Sequence, residues 1–275
     1  MKSTFTPKGV MLLFVILISS TFCFAQVGIN TTTPNGILDI NSSTQGFVLP
    51  RVALTSTLVM APVTNPQTGA IAVGTTVYNT ATTNTGANDV FPGIYTWNGS
   101  EWYSQYQRRQ YALYESSVGY RSTPGSTLTI PLNGSSSPTF TAKYTGNYKI
   151  RVRVDFGGGG AIVPNEGSGG SRSDGDLNIA RATGNFTFTF NGTNYTIPAY
   201  SYSTAYNNVS PSTNYFAIWQ EFIINEVVTL NANDTVNLSL TFLQDTAEEF
   251  LTTSTGRGYV SYDIPCVAEV FYVGE

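Results

Sequence analysis

The sequence predicts an all-β protein, and three features of the chain support this fold class. Apolar and polar residues alternate with a period of two in several stretches, such as NYKIRVRVDF at 147–156. The i, i+3, i+4 spacing of an amphipathic helix is rare, and β-branched and aromatic residues dominate instead. Turn-forming Asn-Gly pairs at 98–99 and 191–192 separate such stretches. This combination favours antiparallel sheets with one buried face.

The first 25 residues have the three parts of a secretory signal peptide. A start with two lysines precedes the unbroken apolar run VMLLFVILI at 10–18. Cys23 and Ala25 then stand at −3 and −1 of a cleavage site before Gln26. We therefore expect an exported protein, extracellular or at the cell surface, whose mature chain begins at Gln26 and has no transmembrane segment.

Two other interpretations of the leader are less favoured. A retained membrane anchor would need about 20 apolar residues, and the run is far shorter. A lipid-anchored Cys23 is disfavoured because bulky Phe22 occupies a position where a small residue is usual.

Composition excludes several classes of function. Loss of Lys2 and Lys8 with the leader changes the net charge from −4 to −6, which argues against nucleic acid or an anionic membrane as partner. The chain has no histidine, which excludes Ser-His-Asp and Cys-His catalysis and the common zinc sites. Cys266 would be the single cysteine of the mature chain, so no intrachain disulfide is expected.

Residues 26–105 form a first region, too polar to build a core alone. Short apolar clusters alternate there with Thr, Asn, Gly and Pro, and the stretch ends in a hairpin predicted between Trp97 and Trp102. Such a chain could bury enough surface if several copies wound together. The clusters are Ile37, Leu38 and Ile40; Phe47, Val48 and Leu49; Ile71, Ala72 and Val73.

Residues 110–275 form a second region, predicted to be one β domain. Alternation predicts that Tyr148 to Phe156 bury the even-numbered side chains and turn Lys149, Arg151, Arg153 and Asp155 the other way. A hairpin is expected over 186–197, a turn at 231–234, and a closing strand region in which Pro265 marks a bend or an edge.

The first region resembles the N-terminal stalk module of exported bacterial surface proteins and phage tail-fibre-like proteins. The resemblance covers residues 26–103. It rests on the order of four segments: VGINTTTPNGILDI, GFVLPRV, TGAIAVGTTVYNT and GIYTWNGSEW. It implies an elongated, usually trimeric β stalk that displays a second domain.

The second region resembles the jelly-roll superfamily of tumour necrosis factor and the complement globular heads. The matching stretches are FTAKYTGNYKIRVRV and LNANDTVNLSL. Asn233 replaces the glycine usual in the second stretch, and Asn tolerates the left-handed backbone that a turn there requires. The resemblance implies a jelly-roll β-sandwich that also forms trimers.

The stretch from Gly157 to Gly175 holds eight glycines. It lacks the lysine of a phosphate-binding loop, so we expect a long flexible loop between strands. Within it, Asp174 and Asp176 are candidate calcium ligands. The full calcium-loop pattern is missing, and solvated acids are the alternative; otherwise no metal site or cofactor is expected.

Tyr200, Tyr202 and Tyr206 are the candidate binding residues. On a strand, Tyr200 and Tyr202 share one face, where exposed tyrosines could stack against a sugar. Burial in a trimer interface is the competing interpretation.

Asp245, Glu248 and Glu249 form an acid cluster. Paired carboxylates serve glycosidases, but neighbours in one turn rarely reach the required separation, so a solvated acidic turn is favoured. Asp234-Thr235-Val236 and Asp245-Thr246-Ala247 match a short pattern of bacterial O-glycosylation, which also arises by chance.

These features lead to one functional interpretation: an exported, non-enzymatic homotrimer whose stalk carries a head that binds a glycan or a surface protein. A structural subunit of a surface layer or fibre, without a ligand, is the first alternative. A carbohydrate-binding or carbohydrate-active β-sandwich is the second.

Overall fold

The computed structural model describes residues 26–164, 177–206, 213–251 and 256–274. The predicted signal peptide lies outside the described residues. The chain divides into two compact units, Met1–Pro50 and Arg51–Glu275. The described residues form strands and turns without an α-helix, so the all-β prediction is confirmed.

The first unit holds one short parallel ladder. Strand β1 (Val27–Ile29) pairs with β2 (Leu38–Ile40), so that Val27 lies opposite Leu38 and Ile29 opposite Ile40. The amide of Asn35 donates to Oδ2 of Asp39 (2.8 Å), which shapes the connecting loop. Two strands of three residues bury little surface in a single chain.

The second unit begins with a four-stranded sheet, in the order β3-β4-β5-β6. Trp97 and Trp102 face each other across β5 and β6, with ring centroids 5.5 Å apart, and the predicted hairpin is confirmed. A small core of its own lies beneath this sheet. The strands are β3 (Arg51–Val52), β4 (Thr76–Asn79), β5 (Gly93–Trp97) and β6 (Trp102–Ser104). The core side chains are Leu54, Ile71, Val77, Val90, Tyr95, Trp97 and Trp102.

Asn79 organises this module through four hydrogen bonds to backbone groups. Its Oδ1 accepts from the amides of Leu54 (2.9 Å) and Ala81 (3.0 Å). Its Nδ2 donates to the carbonyls of Ala81 (2.9 Å) and Phe91 (2.8 Å). The side chain is fully buried. Its side-chain amide therefore supplies the backbone groups with hydrogen bonds that a regular β-ladder would otherwise supply, at a point where three irregular segments meet.

Residues from Tyr111 onward form a sandwich of two antiparallel six-stranded sheets, built around a second core. In the first sheet, β11 pairs with β15 along one edge and with β18 and β17 along the other. Its strands are β7 (Tyr111–Glu115), β8 (Tyr120–Arg121), β11 (Gly146–Gly157), β15 (Gln220–Leu230), β17 (Tyr259–Val260) and β18 (Val267–Gly274).

The second sheet centres on β12 and β16. Its strands are β9 (Thr127–Thr129), β10 (Thr139–Thr141), β12 (Leu177–Phe190), β13 (Thr193–Tyr206), β14 (Thr213–Tyr215) and β16 (Thr235–Gln244). Between β7 and β18 the chain crosses repeatedly from one sheet to the other, the connectivity of a jelly roll. The jelly-roll sandwich predicted for this region is thus the observed fold.

Side chains from the inner faces of β11, β12 and β16 fill the space between the sheets. The Phe242 ring lies 4.7 Å from Phe156 and 4.3 Å from Phe186. A Cβ at Gly184 would come within 2.6 Å of the Phe242 ring, so this strand position requires glycine.

Two predicted turns are confirmed. Asn191 and Gly192 both have positive φ, 50° and 76°, as the tight hairpin between β12 and β13 requires. Asn233 has φ 72°, the left-handed conformation expected of the residue that replaces glycine.

Three features differ from the sequence prediction. The four-stranded module closes a small core within one chain, although its region was predicted to be too polar to build a core alone. Asp155 does face away from the core residues of β11, yet it is buried. Gly157 to Gly160, predicted to open a flexible loop, are also buried. A Cβ at Gly159 would meet the Gly256 carbonyl oxygen at 2.3 Å, and one at Gly157 would meet the Ala217 backbone at 2.9 Å. Because these glycines have no side chain, two other segments of the chain can pack directly against them.

We expect Asn79→Ala to destabilise the module by at least about 3 kcal/mol, because each backbone group left buried and unpaired costs about 1–3 kcal/mol. Urea denaturation followed by tryptophan fluorescence measures this, since Trp97 and Trp102 lie in the same core. The matched control is Asn65→Ala, whose bonds to Ala70 and Gln67 are exposed. Equal losses in the two variants would contradict the organising role of Asn79.

Candidate functional site

The three candidate tyrosines lie on one outward face of β13. Burial alternates along this strand, and Tyr200, Tyr202 and Tyr206 occupy its exposed positions. They are 37%, 43% and 38% exposed in the single chain. The structure therefore brings together the residues that the sequence singled out and leaves them exposed in the single chain.

Contacts within the second sheet, and one with β15 of the first sheet, hold this tyrosine face in place. The Arg181 guanidinium lies 4.8 Å from the Tyr200 ring centroid. Tyr200 meets Tyr202 edge to face at 5.9 Å and Phe222 of β15 at 5.7 Å. Rings fixed in this way lose little conformational entropy on binding.

Apolar neighbours extend the tyrosine face across β12 and β14. Leu177 lies opposite Tyr206 in the register, and Ile179 lies opposite Thr204, which in turn faces Tyr215. Leu177, Ile179 and Tyr215 are all exposed. The sequence prediction missed them because they belong to two other strands.

A second group of rings lies at the Gly157 end of β11, and we call it the aromatic cluster. Tyr259 is at its centre, since it pairs with Gly157 on one side and with Arg121 of β8 on the other. The Arg121 guanidinium lies 3.7 Å from the Tyr259 ring centroid. The members are Arg121, Phe216, Trp219, Tyr259 and Tyr262.

The local backbone explains why these rings meet. Gly157 leaves room for the segment around Ala217, whose amide donates to the Gly158 carbonyl (2.8 Å). Phe216 and Trp219 flank that segment and reach Tyr259. No short sequence pattern marks the cluster, because its members come from three separate segments of the chain.

The acid cluster lies on an exposed turn. Glu248 and Glu249 are solvated, while Oδ2 of Asp245 accepts a hydrogen bond from the Thr183 hydroxyl (2.6 Å). This arrangement fits the solvated turn that the sequence favoured.

The candidate calcium ligands Asp174 and Asp176 lie outside the described residues, so calcium binding there stays a prediction. Among the residues that the structure does describe, no group of three potential metal ligands occurs.

Cys266 is buried, and this burial raises the pKa of its thiol to about 12. The thiol is therefore protonated at neutral pH and poorly nucleophilic.

Asp155 is a buried acid that the sequence did not reveal. Its side chain is 3% exposed, and its Oδ2 has no hydrogen-bond partner. Burial, and then repulsion by Glu221 directly opposite on β15, raise the pKa of Asp155 from 3.8 to about 6, although Arg153 opposes the shift. Ionisation of this buried carboxyl beside Glu221 therefore costs stability.

Residues 26–50, the described part of the first unit, expose nearly every large apolar side chain that they contain. Ile37 is 82% exposed and Phe47 is 66% exposed. Single chains rarely leave such residues in a contiguous, solvated run. The other exposed members are Val27, Ile29, Leu38, Ile40 and Val48.

The four-stranded module exposes apolar residues as well, although its core is closed. Val73 and Tyr103 are the most exposed, at 71% and 63%. Leu58, Val59, Met60 and Tyr106 add to this surface. Among the described residues, no helix has the length and apolar character needed to cross a membrane.

Comparison with known proteins identifies part of the chain. Residues 28–119 match the family model of the phage tail like trimerisation region. This confirms the resemblance predicted for residues 26–103, and it supports a homotrimer. No curated protein matches the chain by sequence.

The solved structures that the chain matches are distant from it in sequence. The globular domain of zebrafish complement 1qA protein is 10% identical over 60% of this chain and 98% of that chain, with a TM-score of 0.26. The structure of infectious bursal disease virus, Gx strain, is 10% identical over 71% of this chain and 41% of that chain, with a TM-score of 0.30. The structure of the Gt strain of the same virus is 11% identical over 66% of this chain and 43% of that chain, with a TM-score of 0.27. The chain spans less than half the length of these viral chains.

We expect the stability of the head to fall as pH rises from about 4 to about 6. Over that window Asp155 loses its proton in the unfolded chain but keeps it in the folded one, so the folded state binds more protons. The loss is at most about 3 kcal/mol. Urea denaturation at pH 4.5 and 7.5 measures it.

The variant Asp155→Asn isolates this effect from other titrating groups. We expect it to be more stable than the parent at pH 7.5 and to lose less stability between the two pH values. An identical pH dependence in parent and variant would rule out Asp155 as the source.

Proposed function

We propose that this protein is an exported, non-enzymatic homotrimer in which residues 26 to about 105 form a β stalk and residues 110–275 form a head that binds a target. The observation that carries the proposal is the run of exposed apolar side chains in residues 26–50. Within the described residues these side chains are exposed, and the sequence of 28–119 matches the family model of a trimerisation region.

Winding with two further copies would give these side chains partners. Each buried Å² of apolar surface is worth about 25 cal/mol, so several covered side chains contribute a driving force of many kcal/mol. A trimer also links three heads, which raises their effective concentration at a surface that carries repeated targets.

The tyrosine face is the proposed target-binding surface of each head. It combines exposed Tyr200, Tyr202 and Tyr206 with the positively charged Arg181, a composition typical of binding hot spots. A glycan or a surface protein fits this composition. A structural subunit without a ligand is the first alternative, and it would leave the face exposed in the trimer and bind nothing.

We expect purified Gln26–Glu275 to have three times the mass of one chain by light scattering on a sizing column. The double variant Ile37→Asp/Phe47→Asp places charges among the exposed apolar side chains, so we expect it to shift toward monomer. The matched control, Thr32→Asp/Ser43→Asp, changes exposed polar residues of the same segment and should remain trimeric. A monomeric parent would overturn the stalk.

We expect hydroxyl-radical footprinting of the trimer to label Tyr200, Tyr202 and Tyr206. A target-binding face stays accessible after assembly, whereas a contact between heads does not. Fully buried Tyr148 serves as the protected reference, since its exposure is 0%. Protection of the three tyrosines to the level of Tyr148 would assign the face to the trimer interface instead.

A further inference from the structure

The aromatic cluster is held rigid before any partner binds. Around Tyr259, Phe216 lies nearly parallel at 5.9 Å, Trp219 meets it edge to face at 6.5 Å, and Tyr262 does so at 5.0 Å. Arg121 covers one side of the Tyr259 ring. Side chains packed against each other in this way are pre-organised, which lowers the entropic cost of binding.

The two arginines at the cluster are turned toward backbone carbonyls. Arg121 donates to the carbonyls of Gly258 (Nε, 3.2 Å) and Arg257 (Nη2, 2.6 Å). Arg257 donates in return to those of Ser122 (Nε, 3.2 Å) and Arg121 (Nη2, 2.8 Å). These bonds fix the segments that carry the rings. The surface therefore offers ring faces and phenol hydroxyls more than it offers ionic contacts.

The rings remain open to solvent. Phe216 is 44% exposed and Tyr262 is 36% exposed, while Trp219 and Tyr259 are half-buried. Aromatic side chains bury about 150–250 Å² each, so four partly exposed rings present on the order of a few hundred Å². A stable protein interface takes about 800 Å² from each partner. The cluster suits a smaller ligand.

The position of the cluster also favours a ligand. Phe271 of β18 pairs with Lys149 of β11 on one side and with Tyr111 of β7 on the other. Tyr111 is the residue at which the first strand of the head begins. Tyr259 pairs with Gly157, eight residues further along β11 and roughly 26 Å away at 3.3 Å per residue. The rings therefore lie at the end of the sandwich remote from the point where the chain enters it.

We propose that the aromatic cluster binds the rings of a neutral saccharide, with Phe216 and Tyr262 as the exposed stacking faces. The C–H face of a sugar ring is apolar and its rim carries hydroxyls, which complements packed aromatic rings bordered by phenol hydroxyls. This site differs from the tyrosine face, whose nearest cation, Arg181, is exposed. It also does not require the trimer, since every member belongs to one chain.

Affinity electrophoresis of Gln26–Glu275 in gels that contain mannan, xylan, β-glucan, dextran or galactan tests the proposal, with alginate as the anionic comparison. We expect at least one neutral polysaccharide to retard the protein and to change the fluorescence of Trp219. In Phe216→Ala/Tyr262→Ala the apparent affinity should fall at least about tenfold, the equivalent of 1.4 kcal/mol. The control Tyr111→Ala changes an exposed tyrosine at the other end of the sandwich and should keep it.

Retardation by none of the neutral polysaccharides, or by alginate alone, would overturn the assignment, as would full retention by the double variant. Circular dichroism and the sizing-column mass establish whether the variants fold. If the double variant does not fold, the single variant Tyr262→Ala and the Trp219 fluorescence change in the parent decide the question. If the protein is a trimer but binds no saccharide, only the saccharide site is wrong. If it is a monomer that binds a saccharide, the stalk proposal is wrong and the saccharide site stands.

Discussion

Mutual burial of two inner sheet faces is the constraint on which the head depends. Strand β11 has partners along both edges, and its core side chains meet those of β12 and β16 in a single packed layer. One register satisfies both the backbone ladder and this layer, because a shift of one residue would turn every apolar side chain outward. Gly184 shows how closely the layer is filled, since the Phe242 ring occupies the space of its missing side chain.

The N-terminal segment, in contrast to the head, has too little sheet in which to bury its apolar side chains. Residues 26–50 contain enough apolar side chains to need burial, but only one pair of three-residue strands in which to bury them. The next module closes its own core with the help of Asn79 and still leaves Val73 and Tyr103 exposed. Association with identical chains would cover such a surface, in agreement with the match of residues 28–119 to a trimerisation region.

Several unusual packing features gather at the Gly157 end of the head. Four buried glycines let neighbouring segments pack closely, the aromatic cluster assembles over them, and Asp155 is enclosed nearby without a partner for its Oδ2. Proteins tolerate such costs most often at functional positions, where scaffold strands carry irregular segments. This concentration distinguishes that end from the regular, threonine-rich turn around Asn191.

The sequence by itself determined whatever depends on local chemistry. A period of two defined the buried face of β11, and Asn-Gly pairs placed two hairpins, because these patterns act within a few residues. It also put Tyr200 and Tyr202 on one face. Only the tertiary structure decided which distant segments meet: the burial of Asp155 and Gly157, the apolar neighbours Ile179 and Tyr215, and the rings around Tyr259. Those contacts join residues far apart in the chain, and no local pattern encodes which segment will cover another.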